Sequence, residues 1–312
     1  GQWRLQTDPQ YLLAQSDALT IHLDPRGPHV VLPADPKLHG LLVIDDHPSI
    51  QTIPSQHGKI PLMPLDVVFP VLHGPYGEDG TVQGLLDLAG IAYVGAGVLG
   101  SAVGMDKDVM KRLLRDAGIP IPRFQVVYQR RWLRDPQKCQ DAVWDHFVPP
   151  VFIKPANLGS SVGITKVKAA TDLGRALDKA FQHDTKVLVE EAIEGREIEC
   201  SVLGDDESAA SLPGEIIPRH EFYSYEAKYL DPDGAQLKIP ADLPEQITEQ
   251  VRQLALATYR TLCCEGMARV DFFLADDGRL LVSEINTIPG FTAISMYPKL
   301  WEASGVSFAQ LL

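Results

Sequence analysis

Cysteine is scarce in this 312-residue chain. There are four, and no two stand as C-x-x-C; Cys263 and Cys264 are adjacent. That spacing argues against a disulfide framework or a cysteine-held zinc. The thiols are expected to be buried and reduced, which fits a cytoplasmic protein. No run of 18 apolar residues is present to cross a membrane. Positive charge is in deficit: 28 Lys and Arg against 41 Asp and Glu leave a net −13. Nucleic-acid binders show the opposite, a basic face that neutralises phosphates, so no nucleic-acid partner is expected. Neither G-x-x-x-x-G-K-[ST] nor G-x-S-x-G occurs, which argues against a P-loop and an α/β-hydrolase. Internal repeats and low-complexity stretches are also missing. The opening Gly1-Gln2-Trp3-Arg4 has no initiator Met and no charged-then-apolar pattern. No signal peptide is read there, and the chain is read as an incomplete view of its gene product.

What is present suffices for a core. Hydrophobic residues make up 45% and charged residues 22%, which excludes a disordered chain. The length suits two domains or one divided large one. Residues 1–60 read as short strands and loops, with apolar runs at 19–23, 30–32 and 41–44. A buried strand at 67–72, a helix at Thr81–Ala89 and a strand at Ile91–Val94 suggest a parallel α/β unit. A helix is expected at about Asp106–Ala117, with Val109, Leu113 and Leu114 on one face. Further on come strands at 151–154, 164–167, 187–190 and 197–203. A helix at 172–182 carries the stripe Leu173, Ala176, Leu177, Ala180 and Phe181. A long helix at about 243–262 follows, with Asp242 as cap and Pro244 in its first turn. Strands 268–274 and 279–285 close the series. The lower half therefore reads as antiparallel α+β.

The 268–286 hairpin carries the sharpest chemical signal. Asp277-Gly278 is a favoured two-residue turn. With that turn, Asp271 faces Glu284 and Arg269 faces Asn286. All four project from one face, while Val270, Phe272 and Ile285 point into the core. Like charges directly opposite destabilise a sheet and need compensation. Oxygen donors without sulfur or histidine suit a hard cation such as Mg²⁺, which binds substrate phosphates. The same pattern also reads as a solvated polar face in which Arg269 neutralises Asp271.

Lys154-Pro155 precedes Asn157-Leu158-Gly159-Ser160-Ser161-Val162-Gly163. A lysine at a strand end and a Gly/Ser loop can hold phosphates; the segment equally reads as a hairpin connection. Gly95-Ala96-Gly97-Val98-Leu99-Gly100 fits G-x-G-x-x-G. The acid that a dinucleotide site wants about 20 residues on is Asp116, inside a helix, so that reading is set aside. Lys107 falls at a helix N-terminus, where the dipole opposes a cation, which favours function over decoration.

These motifs form an ordered series: His73-Gly74-Pro75-Tyr76-Gly77-Glu78-Asp79-Gly80, Gly100-Ser101-Ala102, Met105-Asp106-Lys107, Lys154-Pro155 with its loop, Tyr223–Tyr229, Arg269-Val270-Asp271 and Glu284–Gly290. The series resembles the ATP-grasp family, and closely its D-alanine–D-alanine ligases, over roughly residues 65–312. The resemblance implies an ATP-grasp fold, α/β and α+β, in three parts: an amino-terminal α/β domain (1–100), a central subdomain (101–186) and a carboxy-terminal subdomain (187–312). ATP is then expected between the last two. It implies ATP-dependent ligation of two D-alanines through an acyl phosphate, for peptidoglycan precursors of the cell wall. A D-alanine–D-lactate ligase of the same fold and a non-catalytic nucleotide- or metal-binding module are the alternatives. Carried over by the resemblance, Lys107, Lys154, Ser161 and Lys228 contact ATP, Glu190, Ala192 and Ile193 form the adenine hinge, and Glu197 binds ribose. Asp271, Glu284 and Asn286 ligate two Mg²⁺ (or Mn²⁺) ions, with K⁺ as an assisting ion in some relatives. Arg269 and the Gly290 N–H stabilise an oxyanion, Ser160 and Tyr229 close the site, His73 lies near the first D-alanine, and Ser295 and Met296 lie near a substrate carboxylate. A homodimer is expected, and no membrane partner. Tyr229 is taken to favour the dipeptide. Relatives also carry an early Ser-Ala-Glu type motif with no equivalent in residues 1–60, so the first strand, loop and helix of that domain are read as either preceding residue 1 or missing.

Overall fold

The computed structural model describes residues 3–5, 27–44, 53–55, 58–60, 62–159, 162–218, 235–292 and 295–312. The chain divides into two compact units, Gly1–Pro70 with Val82–Val94, and Val71–Thr81 with Gly95–Leu312. In the smaller unit β1 (Trp3–Arg4), β2 (His29–Val31), β3 (Gly40–Val43) and β6 (Leu62–Pro64) form an antiparallel sheet in that order. β4 (Ile53–Ser55) and β5 (Gly58–Ile60) make a separate hairpin. β7 (Val67–Val68) and β8 (Ala92–Tyr93) pair in parallel around helix α1 (Thr81–Ala89), the α/β unit expected from sequence. The buried strand expected over 67–72 is only those two residues. Pro70 cannot donate to a ladder, and Val67, Val71 and Leu72 are exposed. The run at 19–23 lies outside the described residues.

The larger unit holds two antiparallel sheets. Helices α2 (Val98–Met105) and α3 (Lys107–Asp116) lead into the first. It is formed by β9 (Phe124–Tyr128), β10 (Val151–Pro155), β11 (Thr165–Val167) and β12 (Lys186–Glu191), in the order β11-β10-β12-β9. Helices α4 (Gln129–Arg134), α5 (Pro136–Trp144) and α6 (Leu173–Ala180) cover one face. Strand alternation sends Val151, Ile153, Val187 and Val189 to that side, where they meet Trp132, Val143, Leu173 and Leu177. The opposite face carries Phe152, Lys154, Leu188 and Glu190.

The second sheet runs β16 (Ala235–Lys238), β15 (Gly214–Pro218), β13 (Gly195–Leu203), β17 (Met267–Ala275) and β18 (Leu280–Asn286), with β14 (Ala209–Ala210) off β13. Its core face is closed by α7 (Glu245–Thr261), whose Val251, Ala255 and Tyr259 pack on Ile198, Cys200, Val202, Val270 and Phe272. The N-cap of α7 is Pro244, without a side-chain hydrogen bond. The expected cap, Asp242, instead takes Lys238 at 3.3 Å. On the other face, α8 (Met296–Ala303) covers one end: the Tyr297 hydroxyl donates to the Val202 carbonyl at 3.0 Å. α9 (Phe308–Leu311) ends the chain. Among the described residues no helix is long and apolar enough to cross a membrane.

Two further expectations change. The inner stripe of α3 is Lys107, Met110, Lys111 and Leu114, while Leu113 is exposed. A charged residue was not counted as inward-facing because burial of a lysine needs a partner, and that partner comes from a distant strand. All four cysteines are free, but Cys263 is exposed and Cys139 half-buried; Cys200 and Cys264 alone are buried.

Candidate active site

The hairpin register expected at the site is observed: Arg269 pairs with Asn286 and Asp271 with Glu284. The route to it differs. Ala275 donates to the Arg279 carbonyl at 2.9 Å, and Gly278 has φ 86°, so the turn has three residues rather than two. Register then runs Phe272↔Val282, and a bulge at Ser283 shifts it by one before Asp271. Turn and bulge offset each other, and the bulge turns Ser283 and Glu284 toward one cavity.

Strand β13 adds a third carboxylate that sequence reading missed. Glu199 pairs with Asp271 across β17, so Glu199, Asp271 and Glu284 stand abreast on three strands. The only sequence signal was Glu197-Ile198-Glu199 alternating ahead of a buried Cys200. Arg269 offsets the row. Its Nε lies 2.7 Å from Asp271 Oδ1 and 2.9 Å from Glu199 Oε2, and its Nη2 donates to Asp271 Oδ2 at 2.8 Å. Burial works against the guanidinium, but Asp271 and Glu199 outweigh it and hold the group well above its ordinary value. Asn286 Nδ2 donates to Asp271 Oδ2 at 3.0 Å, which leaves its amide oxygen out of that bond.

From the opposite wall, Lys107 reaches in. Its Nζ donates to the Leu158 carbonyl at 2.6 Å and lies 3.7 Å from Glu284. Glu78, a second residue missed as a site group, is buried and accepts from the Gly74 N–H at 2.6 Å. Burial raises its carboxyl against the pull of Gly74 and His73. The signal for it was its place in the His73–Gly80 motif.

The central sheet contributes Lys154 and Glu190, in direct contact with each other. Glu190 also lies 2.7 Å from Lys111 Nζ. Burial raises the Glu190 carboxyl, but Lys111 and Lys154 overcome it and hold it below the usual range. Lys186, one strand alternation before Leu188, donates to Asp106 at 2.7 Å and Asp108 at 3.2 Å and pins the start of α3 to this sheet.

Between the two sheets lies a cavity of about 500 Å³ lined by Lys107, Lys154, Glu190, Ala192, Ile193, Glu197, Asp271 and Glu284. It brings together eight of the eighteen residues carried over from sequence; Arg269 and Asn286 stand beside it on the same hairpin. Gly290 sits apart from its lining, and a β-carbon there would meet Ser295 Oγ at 2.9 Å. Met296 is buried with Ile216 and Leu300, and His73 is exposed. Ser160, Ser161, Lys228 and Tyr229 lie outside the described residues. A larger cleft of about 690 Å³, around Phe124, His146 and Phe147, has no carboxylate in its lining. The G-x-G-x-x-G run serves packing: a β-carbon on Gly100 would meet the Cys263 carbonyl at 2.5 Å.

Among the described residues no three His, Cys, Asp or Glu side chains form a metal cluster by themselves. Asp271, Glu284 and Asn286 supply two carboxylates and an amide oxygen from one hairpin face. That hard-oxygen set fits a Mg²⁺-type ion whose remaining positions are filled by phosphate and water.

A nucleotide-sized cavity between two antiparallel sheets, lysines on one wall and paired carboxylates on the other, defines the ATP-grasp class. The profile described as D-ala D-ala ligase C-terminus matches residues 113–312, and the one described as D-ala D-ala ligase N-terminus matches residues 1–96. The second match extends the likeness over residues 1–64, where no motif was read. A D-alanine–D-alanine ligase of Oceanobacillus iheyensis is 48% identical over 309 residues, covering 97% of this chain and 83% of that one. D-alanine–D-alanine ligase A of Bradyrhizobium diazoefficiens is 49% identical over 315 residues, covering 100% and 81%. Among solved structures, the D-alanine–D-alanine ligase of Coxiella burnetii gives a TM-score of 0.79 at 37% identity, covering 100% of this chain and 79% of that one. VanG D-Ala:D-Ser ligase of Enterococcus faecalis gives 0.79 at 36%, covering 92% and 78%. The chain belongs to the D-alanine–D-alanine ligase family.

Proposed function

We propose that the chain joins two D-alanines at the expense of ATP, forming D-alanyl-D-alanine, ADP and phosphate. The carrying observation is the cavity in which Lys107 and Lys154 face Asp271 and Glu284. A carboxylate is a poor electrophile until one oxygen becomes a good leaving group. Transfer of the γ-phosphoryl group to the first D-alanine does this; the amine of the second then attacks the acyl carbon, and phosphate leaves. Lys107 and Lys154 bind the phosphates. Glu190, Ala192 and Ile193 take the adenine, and Glu197 takes the ribose. Asp271, Glu284 and Asn286 would hold the divalent ions, which neutralise phosphate charge when bound. Arg269, held in place by Asp271 and Glu199, and the Gly290 N–H stabilise the oxyanion that forms at the acyl carbon. Ser295 and Met296 mark the carboxylate end of the substrate, and His73 the first D-alanine. Ser160, Ser161, Lys228 and Tyr229 act in closure and phosphate binding, excluding water that would hydrolyse the acyl phosphate. Two Mg²⁺ ions, assistance by K⁺, a homodimer and a cytoplasmic role in peptidoglycan synthesis belong to the same proposal.

The test is ADP release by the purified chain. It is expected to require both a divalent ion and D-alanine. Offered D-alanine, D-serine and D-lactate together near neutral pH, the enzyme is expected to make mainly the D-alanine dipeptide. Dominant lactate or serine incorporation would overturn the substrate assignment, and ATP binding without turnover would overturn the activity.

A further inference from the structure

Lys111 is fully buried, with no place in the chemistry above. A buried ammonium is costly unless paired, and its pair is Glu190, 2.7 Å away. Glu190 is itself 1% exposed, and its other oxygen contacts Lys154, whose side chain is 12% exposed. Two lysines therefore share one carboxylate. Burial pulls the Lys111 ammonium below its ordinary value while Glu190 opposes the shift, and with both lysines protonated the trio carries a surplus positive charge. Lys154 and Glu190 line the cavity, whereas Lys111 stands behind them on α3. The geometry is fixed from two sides. Met110 and Leu114, flanking Lys111 on α3, are anchored in the core under the second sheet, and Lys186 holds Asp106 and Asp108 at the helix start.

A lone Glu190–Lys154 pair would be neutral. With Lys111 answering Glu190 from behind, the surplus charge sits on the member that faces the cavity. We propose that Lys111 is a positioning residue for the nucleotide: it touches no phosphate, but it neutralises Glu190 from behind and so leaves the charge of Lys154, at the cavity wall, available to a polyanion. This rests on the ATP-dependent reaction proposed above.

The experiment uses the full chain, first shown to release ADP in a D-alanine-dependent way; failure there would count against the proposed function and not against Lys111. Lys111→Met is expected to raise KM for ATP at least tenfold, about 1.4 kcal/mol. KM for D-alanine and kcat at saturating ATP should stay within threefold. The loss should grow with ligand charge, so adenosine, as a competitor of ATP, should bind within threefold of its parent affinity. Lys111→Arg, which keeps the charge, should restore KM for ATP to within threefold. If Lys111→Met does not fold, Lys111→Gln is read the same way, since it keeps a polar side chain beside Glu190 without the charge. An unchanged KM for ATP in a folded neutral variant would overturn the proposal. So would equal losses for adenosine and ATP, which would mark a collapsed pocket rather than a misplaced charge.

Discussion

Replacing Glu284 by alanine separates catalysis from stability, because the two effects have different sources. Glu284 stands opposite Asp271 on the neighbouring strand. Like charges in that relation destabilise a sheet by roughly 0.2–1 kcal/mol, and the substitution removes that repulsion. It also removes the contact with Lys107 at 3.7 Å. Glu284 is 29% exposed and the spacing is long, so this pair contributes about 0–1 kcal/mol. The two nearly cancel, and loss of the attraction between Glu284 and Arg269 tips the balance slightly, so the ligand-free variant should melt slightly below the parent, by about 3 °C or less. Turnover should behave otherwise. Loss of one of two carboxylate ligands to the divalent ion should lower kcat/KM at least 100-fold, about 2.7 kcal/mol of transition-state stabilisation. Binding should report the same loss. A ligand at 100 times its dissociation constant stabilises the parent by about 2.7 kcal/mol, and Mg²⁺ with ATP should raise the variant's melting temperature much less. The assays are D-alanine-dependent ADP release and thermal unfolding with and without Mg²⁺ and ATP. Turnover within threefold of the parent, or an undiminished thermal shift with Mg²⁺ and ATP, would refute the metal assignment.

Two other substitutions test the packing of charge and backbone. Glu190→Gln leaves Lys111 and Lys154 without their carboxylate and should destabilise by about 3–5 kcal/mol, read from urea midpoints. Because the folded Glu190 carboxyl is held below its ordinary value, its stabilisation is complete above the unfolded pKa and is lost as pH falls through the lower folded one. The parent should therefore lose more stability on acidification than the variant does; parallel acid profiles would contradict this. Cys263 follows the C-cap of α7 at φ 54°, with the Cys264 N–H donating to the Tyr259 carbonyl at 3.0 Å and the Cys263 N–H to Arg260 at 3.1 Å. Glycine suits that position, so Cys263→Gly should stabilise by about 1 kcal/mol. A lower melting temperature would count against the left-handed cap.

Much of this protein was legible in one dimension. Period-two alternation placed Arg269, Asp271, Glu284 and Asn286 on one face, because a strand's pleat is a local property. The stripe of α6 was legible for the same reason: Leu173, Ala176, Leu177 and Ala180 are apolar and inward. The turn at Asp276–Gly278 was misjudged by one residue. The sequence contains no mark of the Ser283 bulge that repairs the register, because a bulge answers the twist of the neighbouring strand.

The order of motifs and the carboxylate pair thus follow from the chain alone. Only the folded structure decided which charges are buried. Glu199 joins Asp271 through β13, and Lys111 goes inward because Glu190 arrives from β12 to receive it. Burial of a charge is a property of a pair, and its two members here are distant in sequence.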